Sequence, residues 1–180
     1  RRQRQMCIRD SSYTERDDVG ITGARLLYED NTVQHAGVVI GYNGLAGHTF
    51  VGNEPDDVGY HAYVIQARDY SAVTAACLMV KASLYDEVGG FEEELEVAFN
   101  DVDFCLKVRE KGYLVVYNPY AVLYHYESKS RGYEDTPEKR NRFEKEAFFT
   151  YNKWEKILAD GDPCYNPNLT LSNSDFSLRE

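Results

Sequence analysis

The apolar and polar positions follow two periods along the chain. From Val19 to Tyr28 the run VGITGARLLY is apolar and β-prone, Glu29-Asp30-Asn31 reads as a turn, and Thr32 to Ile40 resumes as TVQHAGVVI. Together these predict a hairpin. Gly41 to Tyr60 carries five glycines, Pro55 and Asp56-Asp57, and predicts an irregular loop. Its glycines at 41, 44 and 47 match neither the dinucleotide-binding nor the P-loop spacing, so no phosphate cradle is expected. Val73 to Val80 is a continuous apolar run of strand length, as in a strand buried on both faces. A short helix from about Ala82 to Val88 should stop at Gly89-Gly90, where a left-handed backbone is easily adopted.

Asn100, three residues before Asp103, marks a helix start, with Phe104, Cys105 and Val108 on one face and Gly112 at the end. Tyr113 to Tyr117 and Ala121 to His125 read as two strands around an Asn118-Pro119 turn. Thr136-Pro137 opens the longest helix, running to about Leu158, with Phe143, Ala147, Tyr151, Trp154 and Leu158 as a core stripe. From Gly161 onward, Pro163, Pro167 and the Ser and Asn residues predict an extended tail lying on the body. Strands alternate with helices, so the fold class is α/β.

Composition narrows what such a fold can do. At 180 residues, 43% hydrophobic and 28% charged, the chain can bury a core and is not disordered. Thirty acidic against twenty basic residues give a net charge of −10, which repels a phosphate backbone and excludes nucleic acid as a partner. The longest apolar run, Ala75 to Val80, is far short of the roughly 20 residues of a membrane span. A soluble, cytoplasmic protein without a transmembrane segment is expected, with peripheral association at the inner face of the membrane left open. Residues 1–11, with Arg1, Arg2, Arg4 and Arg9, resemble a translated sequencing adapter and are expected to be an artefact. The body is then 12–160 and the tail 161–180, and the natural gene is expected to begin further upstream. Cys77, Cys105 and Cys164 form no close pair, so neither a zinc site nor a disulfide framework is expected.

Polar clusters fall where strands and helices meet. The densest runs from Gly89-Gly90-Phe91 through Glu92-Glu93-Glu94 to Asn100-Asp101-Val102-Asp103. Carboxylates at 101 and 103 sit in a first helical turn, where the helix dipole stabilises anions. From spacing alone, simple capping is the first reading and a catalytic or metal role the second. His35, His48 and His61 show no repeated spacing, and His125 ends a strand.

The order of the pieces adds more than any one of them. ACLMV (Ala76 to Val80), GGFEEEL (Gly89 to Leu95), NDVDFCLKVREKGY (Asn100 to Tyr113) and NPYAVLYHYES (Asn118 to Ser128), preceded by the hairpin GARLLYEDNTVQHAG, resemble the C-terminal half of a family 2 glycosyltransferase of the GT-A fold. The resemblance covers about Asp18 to Ser130. It implies a C-terminal part of a GT-A-type mixed-sheet domain whose N-terminal nucleotide-binding part, with its Asp-x-Asp metal motif, is missing. It implies inverting transfer of a hexosyl-type sugar from a nucleotide-diphosphate sugar to a glycan or lipid-linked glycan acceptor, in bacterial surface polysaccharide synthesis. By the same resemblance Asp101 is the general base and Asp103 supports it or binds acceptor. Gly89, Gly90, Phe91 and Glu92 line the acceptor side. His125 is a ligand to a divalent metal, Mg or Mn, whose other ligands belong to the missing half. The family's commoner Glu before the base is Asn100 here, which leaves the base untouched. Without a donor site the fragment is expected to be inactive or nearly so. The contrasting expectation is a noncatalytic carbohydrate-binding or interaction module that stacks sugars on its tyrosines.

Overall fold

The structure, a computed structural model, describes residues 12–126, 136–174 and 176–179. Its centre is β1 (Val19–Leu27), in which all nine residues are buried. A strand with no exposed face needs partners on both edges, and β1 has them. On one edge it runs parallel to β7 (Leu114–Tyr124); on the other it runs antiparallel to β2 (Val33–His35) and, at its opposite end, to β6 (Leu78–Val80). The short β5 (Arg68–Asp69) adds antiparallel to β7, so the five-stranded sheet is mixed. A separate two-stranded sheet joins β3 (Val38–Ile40) to β4 (Ala46–His48). The architecture is mixed α/β and consistent with a GT-A-like domain.

Several predicted elements change shape in the fold. The hairpin forms, but its second strand divides at Ala36-Gly37, where Gly37 takes φ +109 and sends β3 into the other sheet. A side chain there would also collide with the Tyr70 ring, 2.4 Å from an ideal Cβ. The two strands expected at 113–117 and 121–125 are one. β7 runs through Asn118-Pro119 because its register on β1 slips between Asn118 and Val122, and the extra residues form a bulge in which only Tyr120 is exposed. The doubly buried strand expected at Val73 to Val80 is not found. The Thr74 side chain caps a 3-10 turn at Ala75–Cys77, and only the half-buried Leu78–Val80 continues as a strand on the edge of β1.

Helix α1 (Ala82–Glu87) ends at Gly89 and Gly90 as expected, with φ +78 and +65. Helix α2 (Asn100–Glu110) buries Val102, Asp103, Phe104, Cys105, Leu106 and Val108. Each large apolar side chain among them contributes roughly 2 kcal/mol by leaving water. The long helix is α3 (Pro137–Lys153), capped by Thr136 and broken at Trp154 before α4 (Glu155–Asp160). Its expected stripe is only partly its buried face, since Trp154 is in the core and Leu158 packs against it. Phe143 is 42% and Tyr151 48% exposed, whereas Glu146 and Thr150, outside the stripe, are buried. Polar side chains can occupy the inner face because both find hydrogen-bond partners there.

The segment after 160 does lie on the body and also enters it. Leu169 and Phe176 join the main core, with the Phe176 ring stacked on Phe50 and Tyr60. Asp162 ties this segment down by accepting from the Ile40 amide at 2.7 Å and the Ser71 hydroxyl at 2.6 Å.

Candidate active site

Strand alternation gives His35 and His125 a common sheet face. Ala24 and Leu26 of β1 and Ala121 of β7 are buried together there, with Leu123 and Cys77 packed against them. His35 lies opposite Leu26 in the register, and His125 lies two residues beyond Leu123. Period-two alternation therefore carries both histidines to this face. The His125 amide extends the strand by donating to Leu27 O at 2.9 Å.

His35 is fully buried, and its Nε2 accepts from the Thr74 amide at 3.4 Å. That contact assigns the proton to Nδ1, which has no partner among the described residues. His48 Nδ1 is 3.2 Å from Gln34 O, and its ring meets His35 edge-on at 4.8 Å between centroids. Burial, reinforced by the nearby His48 and His125 rings, holds the His35 pKa well below its ordinary 6.5. Three histidines without a common sequence spacing thus share one neighbourhood.

Asp101 reaches the same segment from the other side. The N-cap of α2 is Phe99, in a left-handed conformation at φ 60, and no side chain caps this helix. Asn100 is therefore not the cap that its spacing suggested. Asp101 Oδ1 accepts from the Val102 amide at 2.9 Å and Oδ2 from the Ala75 amide at 3.1 Å. Both oxygens keep further lone pairs for a ligand. Thr74 and Ala75 are consecutive, so one amide is held by His35 and the next by Asp101.

Asp103 sits in different surroundings. Its carboxylate has no exposed surface; Oδ1 accepts from Trp154 Nε1 at 2.9 Å and meets Lys153 Nζ at 2.8 Å. Lys107 Nζ lies 3.2 Å from Oδ2. These partners leave Asp103 holding α2 to α3 rather than facing a ligand.

The residues expected on the acceptor side lie farther along α2. Gly90 O accepts from Lys107 Nζ at 2.9 Å, and the Phe91 ring packs on Phe104 and Tyr85 at 4.9 and 5.9 Å between centroids. Glu92 pairs with Lys153 Nζ at 2.7 Å, which lowers its pKa. Gly89 is exposed and Gly90 buried. The Gly89–Glu92 loop therefore follows the second turn of α2 and the end of α3, while Asp101 occupies the first turn.

A divalent cation needs several converging donors, and no group of three His, Cys, Asp or Glu among the described residues is arranged to hold one. Among the described residues His125 Nδ1 is nevertheless buried without a hydrogen-bond partner, which leaves its lone pair or proton free to meet a ligand. No described helix is long and apolar enough to cross a membrane. Sequence reasoning overlooked His35, His48, the Thr74-Ala75 amides and Glu146. The signal for the histidines was their strand-end placement; for the amides there was none.

No family model matches the chain. Over 165 residues, 91% of its length, it is 52% identical to an uncharacterized protein of Sinorhizobium fredii. It is 35% identical over 170 residues, 93% of its length, to the O-antigen biosynthesis protein RfbC of Myxococcus xanthus. Over 60 residues, 33% of its length, it is 35% identical to the N-acetylglucosaminyl-diphospho-decaprenol L-rhamnosyltransferase of Mycobacterium tuberculosis. The chain spans 18%, 13% and 20% of the lengths of these three proteins.

Proposed function

We propose that this chain supplies the acceptor side of an inverting, family 2-type glycosyltransferase acting in bacterial surface polysaccharide synthesis. The donor is a nucleotide-diphosphate sugar and the acceptor a glycan or lipid-linked glycan. The observation that supports this reading is the mounting of Asp101, whose two oxygens accept from the Val102 and Ala75 amides at the start of α2. The names of the M. xanthus and M. tuberculosis relatives support it.

In the proposed step an acceptor hydroxyl oxygen bonds to the anomeric carbon while its proton passes to Asp101. The bond from that carbon to the diphosphate oxygen breaks, and its electron pair leaves on the nucleoside diphosphate. Attack from the side opposite the leaving group inverts the configuration. A carboxylate suits this role because it need accept the proton only as the new bond forms, and its two amide contacts fix its direction. His125 Nδ1 fits one ligand of a Mg or Mn ion, which when bound would neutralise charge on the diphosphate. Donor groups beyond this chain complete the site in this reading, and association with the inner face of the membrane brings it to a lipid-linked acceptor.

Asp101→Asn in the full-length protein tests the assignment. The expected result is a fall in kcat of about 10²- to 10⁴-fold with donor affinity unchanged. Unchanged turnover would remove Asp101 from the role. A noncatalytic sugar-binding module is the second reading, favoured by Tyr120, Tyr124 and Tyr126, each at least half exposed beside one another on β7 and just past it. Transfer by the full-length protein that survives both Asp101→Asn and His125→Ala would favour it for this segment.

A further inference from the structure

The base helix α2 has no cap of its own, yet its start is sharply placed. The cause lies on α3. Glu146 is 3% exposed, and its carboxylate receives three consecutive backbone amides from the preceding loop. Oε1 accepts from Glu96 at 3.1 Å and Val97 at 3.2 Å, and Oε2 accepts from Ala98 at 2.7 Å. Successive amides converging on one anion fix the backbone dihedrals between them. The next residue, Phe99, is held left-handed at φ 60, a conformation that costs a non-glycine residue energy unless its surroundings impose it. Its ring packs on Phe143 of α3 at 5.5 Å between centroids. Helix α2 begins at the following residue, and Asp101 is its second.

We propose that Glu146 is a positioning residue for Asp101: by clamping the amides of 96–98 it sets where α2 begins and hence where the Asp101 carboxylate points. The proposal rests on the reading of Asp101 as general base. Glu146 itself is too buried and too fully engaged to meet an acceptor sugar. Its effect passes through the loop and along the start of α2 to the Ala75 amide, which Asp101 Oδ2 holds. A residue that merely tied α3 to the body would steady the loop without aiming Asp101.

Amide hydrogen exchange followed by NMR on this chain distinguishes the two. Glu146→Ala is expected to speed exchange at 96, 97 and 98 by about ten- to a hundredfold, the loss of hydrogen bonds to a charged group. Exchange at Ala75 should rise with them, while β1 and β7 amides keep their protection. Glu146→Gln, which retains one acceptor oxygen, should restore part of the protection and guards against a variant that fails to fold. In the full-length protein Glu146→Ala should lower kcat and leave donor KM unchanged. Faster exchange at 96–98 with an unchanged Ala75 amide would overturn the proposal, as would uniform acceleration across β1 and β7. The general-base reading fails separately, if Asp101→Asn leaves transfer intact; the exchange pattern then still decides whether Glu146 aims Asp101.

Discussion

Asp103 loses all solvent contact between α2 and α3, where Lys153, Lys107 and the Trp154 indole meet its carboxylate. Asp103→Ala strands that indole and two lysines. Because Lys107 and Lys153 are 16% and 29% exposed and regain water, the expected cost is about 2 kcal/mol, below that of a fully buried pair. A urea titration reads it directly, and no loss of stability would contradict the buried network. Two residues earlier, the Asp101 oxygens accept, among the described residues, only from the Val102 and Ala75 amides. The sequence showed both carboxylates in one helical turn, but the turn of about 100° per residue separates them, and only the neighbouring elements decide which is buried. Gly90 is a second residue whose role was legible, since a helix followed by Gly-Gly predicts a left-handed stop. A Cβ there would lie 2.8 Å from the Tyr85 ring. Gly90→Ala should cost about 2 kcal/mol by urea titration and displace the Gly89–Glu92 loop.

At the scale of elements, the apolar stripe of α3 was the least reliable signal. Its period was right and its face only partly so, because Trp154 is buried but Phe143 and Tyr151 are exposed while Glu146 and Thr150 satisfy their polar atoms inside. Hydrophobic periodicity cannot foresee a buried carboxylate whose partners are amides nearly fifty residues away. The segment after 160 is governed by Asp162, and its attachment depends on pH. Burial raises the Asp162 pKa above its ordinary 3.8, although Ser71 and two backbone amides partly oppose the shift. A carboxyl raised in the folded state holds its proton more tightly folded than unfolded. Its contribution is full below the ordinary value and is lost as pH rises through the raised one. Asp162→Asn, which stays neutral, should therefore improve relative to the wild type as pH is raised from about 3.8. Paired urea midpoints across that range test the sign; a difference that moves the other way would show that the hydrogen bonds outweigh burial.

The whole molecule carries Asp101 at the start of α2 and His125 just past the end of β7. If the donor site needs groups beyond this chain, the 180 residues should bind an oligosaccharide acceptor, bind nucleoside diphosphate weakly, and turn over negligibly. Titration of each ligand against the chain by NMR checks all three, and tight nucleotide binding would overturn the division of labour. The amino-acid sequence by itself determined what is local: the first hairpin, the helix starts, the glycine stop before the acidic loop, Asp101 in a first helical turn and His125 at a strand end. Periodicity and turn chemistry act within a few residues, so these could be read directly. Only the tertiary structure decided which groups meet: Asp101 with the Ala75 amide, His35 with His48 and His125, Asp103 with Lys153, and Glu146 with the loop before α2. Those contacts join residues far apart in the chain, and they form because sheet register and helix packing bring together positions whose local sequences carry no mark of one another.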